Sequence, residues 1–179
     1  MIRFLLAALA LITLAGGPAV AQAPSSKTPT VMITMEKGGE IVLELFPQDA
    51  PRHVENFLKL VEQKFYDGQR VHRVAPSFVV QFGDPQSKTL PLDDPRMGTG
   101  GPGYTIKAEF NKRPFERGVL GMARAGDPDS AGSQVYIMLG AAPHLNGQYT
   151  AFGRVATGMG VVDQIRVGDR ITSIKVITK

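Results

Sequence analysis

The chain has no cysteine among its 179 residues. That excludes a disulfide scaffold, a thiol nucleophile, a lipidated N-terminal cysteine and any cysteine-ligated zinc. Tryptophan is missing too, and aromatic residues make up only 7%, which leaves little material for stacking nucleic-acid bases. The formal charge is +4 and the basic residues are scattered, with no long run among them; nucleic acid is therefore not an expected partner. His53, His72 and His144 show no H-E-x-x-H spacing, and no serine lies in a G-x-S-x-G context. Neither a metal, a hydrolase nucleophile nor a cofactor is called for. Gly98-Thr99-Gly100-Gly101-Pro102-Gly103 looks like a phosphate cradle, but no Gly-Lys-Ser/Thr follows it. It reads as a structural turn.

Long hydrophobic runs are absent except at the start. Arg3 precedes an apolar stretch from Phe4 to Ala15, followed by Gly16-Gly17-Pro18 and the small residues Ala19-Val20-Ala21. This is the pattern of a secretory signal peptide over residues 1–21, cut after Ala21, or kept as an anchor if it escapes cleavage. The stretch is short for a membrane span, so after cleavage no membrane partner is expected. Residues 22–29, rich in Pro, Ser and Ala, read as a flexible tether, and residues 30–179 as one domain. A leader of this kind places the protein in the periplasm or outside the cell.

Hydrophobic residues are plentiful at 43%, with 20 glycines and 13 prolines, which suits a globular fold of many turns. Val31, Ile33 and Met35 alternate with Met32 and Thr34, Gly38-Gly39 supplies a turn, and Ile41, Leu43 and Leu45 alternate again: a β-hairpin. Val54, Phe57, Leu58, Val61 and Phe65 recur at helical spacing after Pro51, with Asp49 placed to cap the helix. Further strands are predicted at Val71–Val74, Phe78–Phe82, Gly118–Met122, Gln134–Met138, Ala151–Val155 and Ile171–Ile177. A weaker helix with Val161, Val162 and Ile165 turned inward precedes the last of these. The Gly/Pro-rich stretch from Gly83 to Gly103 has no period and reads as a loop. Many short strands with two helices predict an all-β fold, an eight-stranded antiparallel sheet closed into a barrel and capped by two α-helices.

Period-2 phasing puts Val80 and Phe82 inside and Val79 and Gln81 outside, with Arg73 sharing a face with Val71. Gln134 and Tyr136 share a face on a later strand. Arg73, Gln81 and Gln134 then meet on an outer surface beside Val79 and Tyr136. Phe78 is out of phase and joins them only if the Pro76-Ser77 turn re-aims it. Periodicity alone favours reading all of these as ordinary exterior residues.

Resemblance shifts that balance. Val71-His72-Arg73-Val74-Ala75-Pro76-Ser77-Phe78-Val79-Val80-Gln81-Phe82-Gly83-Asp84 resembles the signature stretch of the cyclophilins, the peptidyl-prolyl cis-trans isomerases. The helix segment Ala50–Leu58 and the glycine loop Gly98–Gly103, in its Gly-Pro-Gly-Tyr form, are similar to the family's corresponding segments. So are Gly118–Ala125, Gly132–Ile137, Leu145-Asn146-Gly147 and Phe152–Val155, in the right order along residues 30–179. The resemblance implies a cyclophilin-like fold, no cofactor, and a monomer acting on proline-containing unfolded or folding polypeptides. By that resemblance Arg73 is the catalytic arginine, with Phe78 and Gln81 beside it. Val79, Ala123, Arg124, Gln134, Tyr136 and Leu145 match the rest of the substrate groove; His72, Ala125, His144 and Tyr149 match its edge. The chain departs from the usual pattern at three places: His144 stands where Trp is frequent, Tyr149 where His is usual, and Tyr136 where Phe is common. The lost indole implies weak inhibition by cyclosporin. Two other readings stay open: a holdase that merely retains clients in the groove, and an unrelated exported barrel with a small apolar ligand inside.

Overall fold

The computed structural model describes residues 28–178. The expected leader at 1–21 and residues 22–27 of the expected tether lie outside them. Eight strands form one antiparallel sheet: β1 (Thr30–Met35), β2 (Glu40–Leu45), β3 (Arg73–Ala75), β4 (Val79–Phe82), β5 (Val119–Met122), β6 (Val135–Met138), β7 (Ala151–Thr157) and β8 (Ile171–Thr178). Helix α1 (Pro51–Glu62) follows β2, and α2 (Met159–Gln164) precedes β8. The β1–β2 hairpin turns at Gly38 and Gly39, with φ of +90° and +94°, a region open to glycine at no steric cost.

The expected closed barrel is not what forms. The strand order is β3-β4-β6-β5-β7-β2-β1-β8, which leaves β3 and β8 as free edges of an open, strongly curled half-barrel. The reason lies in how the two edges use their backbone groups. β3 is only three residues long. The chain before it bonds across the gap to residues 168–171, through Gly68 N to Ile171 O at 2.8 Å and Val71 N to Asp169 O at 2.9 Å. These contacts amount to a single isolated bridge, Arg70 with Arg170, and not to a ladder. Further along β8, the Ile174 N–H goes to the Asp67 carboxylate (3.1 Å) where closure would need a strand. Counting strands cannot reveal that the two edge strands, β3 and β8, fail to pair.

The concave side of the sheet is filled with side chains. Ile33, Leu43, Phe82, Leu120, Ile137 and Phe152 are at most 2% exposed and pack with Phe57 and Tyr66 beneath α1. An interior packed in this way leaves no lumen for the apolar-ligand reading. A second apolar cluster, with Val79, Phe115, Tyr136, Met138 and Leu145, lies on the opposite side of the sheet. The inward phase expected for Val80 and Phe82, and the outward one for Val79, hold.

Two local expectations need correction. Val71 does not share a face with Arg73: Val71 is buried in the main core and Arg73 is exposed, because β3 begins only at Arg73 and the two-residue phase does not extend back to Val71. Nor does Asp49 cap α1. The N-cap position is Ala50, with no capping side chain of its own, and Asp49 instead accepts from Arg113 Nε at 2.7 Å. The cap is supplied from 56 residues away, where Glu109 accepts from Arg52 N (3.1 Å) and His53 N (3.0 Å) and from His53 Nδ1 at 2.7 Å. Burial pushes the pKa of His53 down against the opposing pull of Glu109. On Glu109 burial opposes charge, but the bonds from His53 and Arg52 outweigh it and hold the carboxyl below its ordinary value. The pair thus sits as neutral imidazole against carboxylate. The loop from Gly83 to Gly103 is irregular as expected, apart from one 3-10 turn at Pro85–Lys88.

Candidate active site

Three adjoining strands set the site's spacing. In the β3–β4 ladder Arg73 stands opposite Gln81, and in the β4–β6 ladder Gln81 stands opposite Tyr136. Opposed residues share a face, so the exposed side of the sheet collects them. Phe78 reaches that face through the turn anticipated for it: Ser77 adopts φ +59°, a left-handed conformation rare for a non-glycine residue. The Arg73 guanidinium lies 5.7 Å from the centre of the Phe78 ring.

The result is a hollow of about 220 Å³ whose floor and walls include Phe78, Val79, Tyr136 and Leu145, with Ala123 and Tyr149 at its sides and Arg73, Gln81 and Arg124 as its polar members. A second hollow of about 390 Å³ shares Gln81, Ala123 and Arg124 with the first and adds Ala125, Gln134 and the 98–102 loop. The two hollows adjoin at those three residues and are taken together as the groove. His72 and His144 line neither hollow. The His144 ring stacks on Phe78, with centroids 5.9 Å apart. The pKa of His72 is pushed down chiefly by burial, with Asp84 and Gln134 pulling the other way. Tyr104 of the Gly-Pro-Gly-Tyr loop lines the second hollow, as do Thr105 and Ser130; no period or motif in the sequence pointed to the last two.

Polar contacts order the groove. Arg73 Nη1 donates to Gln81 Oε1 (3.1 Å), and Gln81 Nε2 donates to Gln134 Oε1 (3.0 Å). Gln134 Nε2 donates to the carbonyls of Gly98 and Gly100, both at 2.8 Å. Arg73 makes no ion pair among the described residues. Arg124 is different: its guanidinium is occupied by the carbonyls of Gln148, Ala125 and Gly126 and lies 4.5 Å from the Tyr149 ring centre. Burial, with Tyr149 adding to it, raises the pKa of the Tyr136 phenol far above its ordinary value, so the ring acts as a neutral wall. No carboxylate, histidine or lysine is among the residues lining the first hollow. The site offers a fixed cation beside an apolar surface, an arrangement suited to gripping a small ring and donating hydrogen bonds rather than to proton transfer or covalent attack.

Comparison with known proteins agrees with this geometry. The family model for "Cyclophilin type peptidyl-prolyl cis-trans isomerase/CLD" matches residues 30–178. A probable peptidyl-prolyl cis-trans isomerase of Brucella suis is 45% identical over 170 residues, covering 93% of this chain and 86% of that protein. Peptidyl-prolyl cis-trans isomerase B of Bacillus subtilis is 44% identical over 144 residues, 79% of this chain and 94% of its own. Among solved structures, a Cryptosporidium parvum cyclophilin-type isomerase determined in the presence of the dipeptide Ala-Pro superposes with a TM-score of 0.72. It has 26% identity and covers 84% of this chain and 99% of that one. With its open curled sheet, its two helices and its arginine-bearing groove, the chain belongs to the cyclophilin-type peptidyl-prolyl cis-trans isomerases, and isomerisation of X-Pro bonds is its enzymatic activity.

Proposed function

We propose that this isomerase is exported, acts as a monomer on proline-containing unfolded or folding polypeptides in the periplasm or outside the cell, and uses Arg73 as its catalytic donor. Phe78 and Gln81 work beside it. The leader-like residues 1–21 support export.

Rotation about an X-Pro bond breaks amide resonance and faces a barrier of about 18–20 kcal/mol. Midway through the twist the prolyl nitrogen recovers its lone pair and becomes an acceptor. A donor aimed there binds the twisted form better than either planar form, which is the condition for catalysis. Arg73 suits the task because a guanidinium keeps its charge and holds its donors in a rigid fork. Gln81 orients that fork through Oε1 and has a second N–H on Nε2 for a substrate carbonyl. Phe78, Val79, Tyr136 and Leu145 hold the proline ring and exclude water, which strengthens the Arg73 bond. With its side chain tied to carbonyls, Arg124 presents its main chain to the peptide, next to Ala123 and Gln134. Of the four edge positions, Ala125 and Tyr149 line the groove, while His72 and His144 do not.

Magnitude limits what Arg73 does alone. A hundred-thousand-fold acceleration takes about 7 kcal/mol, and a hydrogen bond to a charged group gives about 1.5–3 kcal/mol. Desolvation and the grip on one end of the bond supply the remainder. The observation that carries the reading is an Arg73 guanidinium free of any carboxylate among the described residues, held by Gln81 in a hollow that Phe78, Val79 and Leu145 also line. The test is Arg73→Ala, with exchange of a proline peptide followed by NMR. The expected result is a folded protein that has lost most of its isomerisation; unchanged rates remove Arg73 from the mechanism.

A further inference from the structure

We propose that Asp84, a residue outside the groove, is a positioning residue that sets the aim of Arg73 through the glycine loop and two glutamine amides. This rests on Arg73 being the donor. Asp84 is fully buried and follows Gly83, whose φ of +105° and lack of a Cβ let the chain pass Ser133 O, which a Cβ would meet at 2.3 Å. Among the described residues Asp84 has no cationic partner. Its two oxygens receive three backbone N–H groups: Oδ1 takes Gln86 N at 2.8 Å, and Oδ2 takes Gly98 N at 2.6 Å and Gly100 N at 3.2 Å.

Those last two bonds fix the loop whose carbonyls matter to the site. Gly98 O and Gly100 O both accept from Gln134 Nε2. Only the NH2 end of an amide can meet two carbonyls, so the orientation of Gln134 is determined and its oxygen must face Gln81. Gln81 is then forced to turn its own NH2 toward Gln134 and its oxygen toward Arg73. A chain of amides has a direction, and here the loop sets it. If Gly98 and Gly100 shift, Gln134 can flip. A flipped Gln134 allows Gln81 to flip as well, and then a donor faces the guanidinium, which loses its side-chain acceptor. Gly100 is needed for the contact, because a Cβ there would stand 2.1 Å from Asp84 Oδ1.

The test is Asp84→Asn in the full protein. Asparagine keeps the shape but has one acceptor oxygen in place of two, so its NH2 is set against either Gln86 N or the N–H groups of Gly98 and Gly100; where the oxygen stays on the loop, Gly100→Ala is the deciding variant. The expected result is a kcat lower by about tenfold, the scale of one misaligned hydrogen bond, with KM changed by less than about twofold. The Arg73 Nε–H signal in 15N NMR should move and exchange faster with water. Gly100→Ala breaks the same contact from the loop side with Asp84 intact and decides the matter if Asp84→Asn does not fold; it should give the same split. The proposal is overturned if folded variants keep kcat and leave the Arg73 signal unmoved, or if KM rises as much as kcat falls with that signal unmoved. Should Arg73→Ala abolish activity while both variants keep it, only the positioning link fails. If Arg73→Ala itself retains activity, it is the donor reading that fails.

Discussion

Removing the Glu109 carboxylate tests whether the borrowed cap holds α1 in place. In Glu109→Ala the helix loses acceptors for the N–H groups of Arg52 and His53, and His53 loses the partner of Nδ1. Loss of an N-cap costs about 1 kcal/mol, within a range of roughly 0.5–2. The His53 ring is fully buried and its Nε2 already lacks a partner. Orphaning Nδ1 as well adds about 1–3 kcal/mol. The sum, about 2–4 kcal/mol, is a large part of the roughly 5–15 kcal/mol that separates folded from unfolded domains, and corresponds to a fall in Tm of about 5–15 °C at this size. Urea unfolding followed by circular dichroism at neutral pH measures it directly, and Glu109→Gln should recover part of the loss because it keeps one acceptor oxygen. A Glu109→Ala loss below about 0.5 kcal/mol, the size of an ordinary surface substitution, would refute the argument that a distant loop caps this helix.

Acid should weaken the fold before the carboxylates titrate. The pKa values of His53 and His72 are both lowered by burial, so between their folded values and about 6.5 the unfolded chain binds more protons and stability falls as pH falls. Glu109, whose carboxyl is held low, contributes stability above its unfolded value that is lost further down, as pH drops through its folded one. Urea midpoints from pH 8 to 4 check this, and a midpoint that stays constant between pH 7 and 5 would contradict the burial of the two imidazoles. Tyr136→Phe removes a buried hydroxyl that has no partner; it should leave isomerase activity in place and change stability by no more than about 1 kcal/mol, in the stabilising direction. A clear loss of stability would mean that the hydroxyl is satisfied after all.

Most of the groove was legible because its residues are close in sequence or opposed on neighbouring strands. Alternation from Val79 to Phe82 fixes which side chains face out, and the ladders carry that phase across to Tyr136. The hairpin, both helices and the long irregular loop follow from period, proline and glycine. What failed did so where distant segments meet. Val71 sits in the core because the strand starts two residues later than the pattern implies. Asp49 is a sound local cap, yet Glu109 reaches the same amides from another loop. His72 and His144 match edge positions of the family pattern, but neither lines the groove, and His144 stacks on Phe78 instead.

By itself the sequence determined the elements, the face most of the groove residues occupy and the family, since these depend on local period and on motifs read in order. Tertiary structure alone decided that the sheet stays open, that α1 is capped from afar, and that a direction runs from Asp84 through two amides to Arg73. Each of those depends on which backbone and side-chain groups remain unsatisfied once the strands are placed, and that accounting exists only when the whole chain is folded.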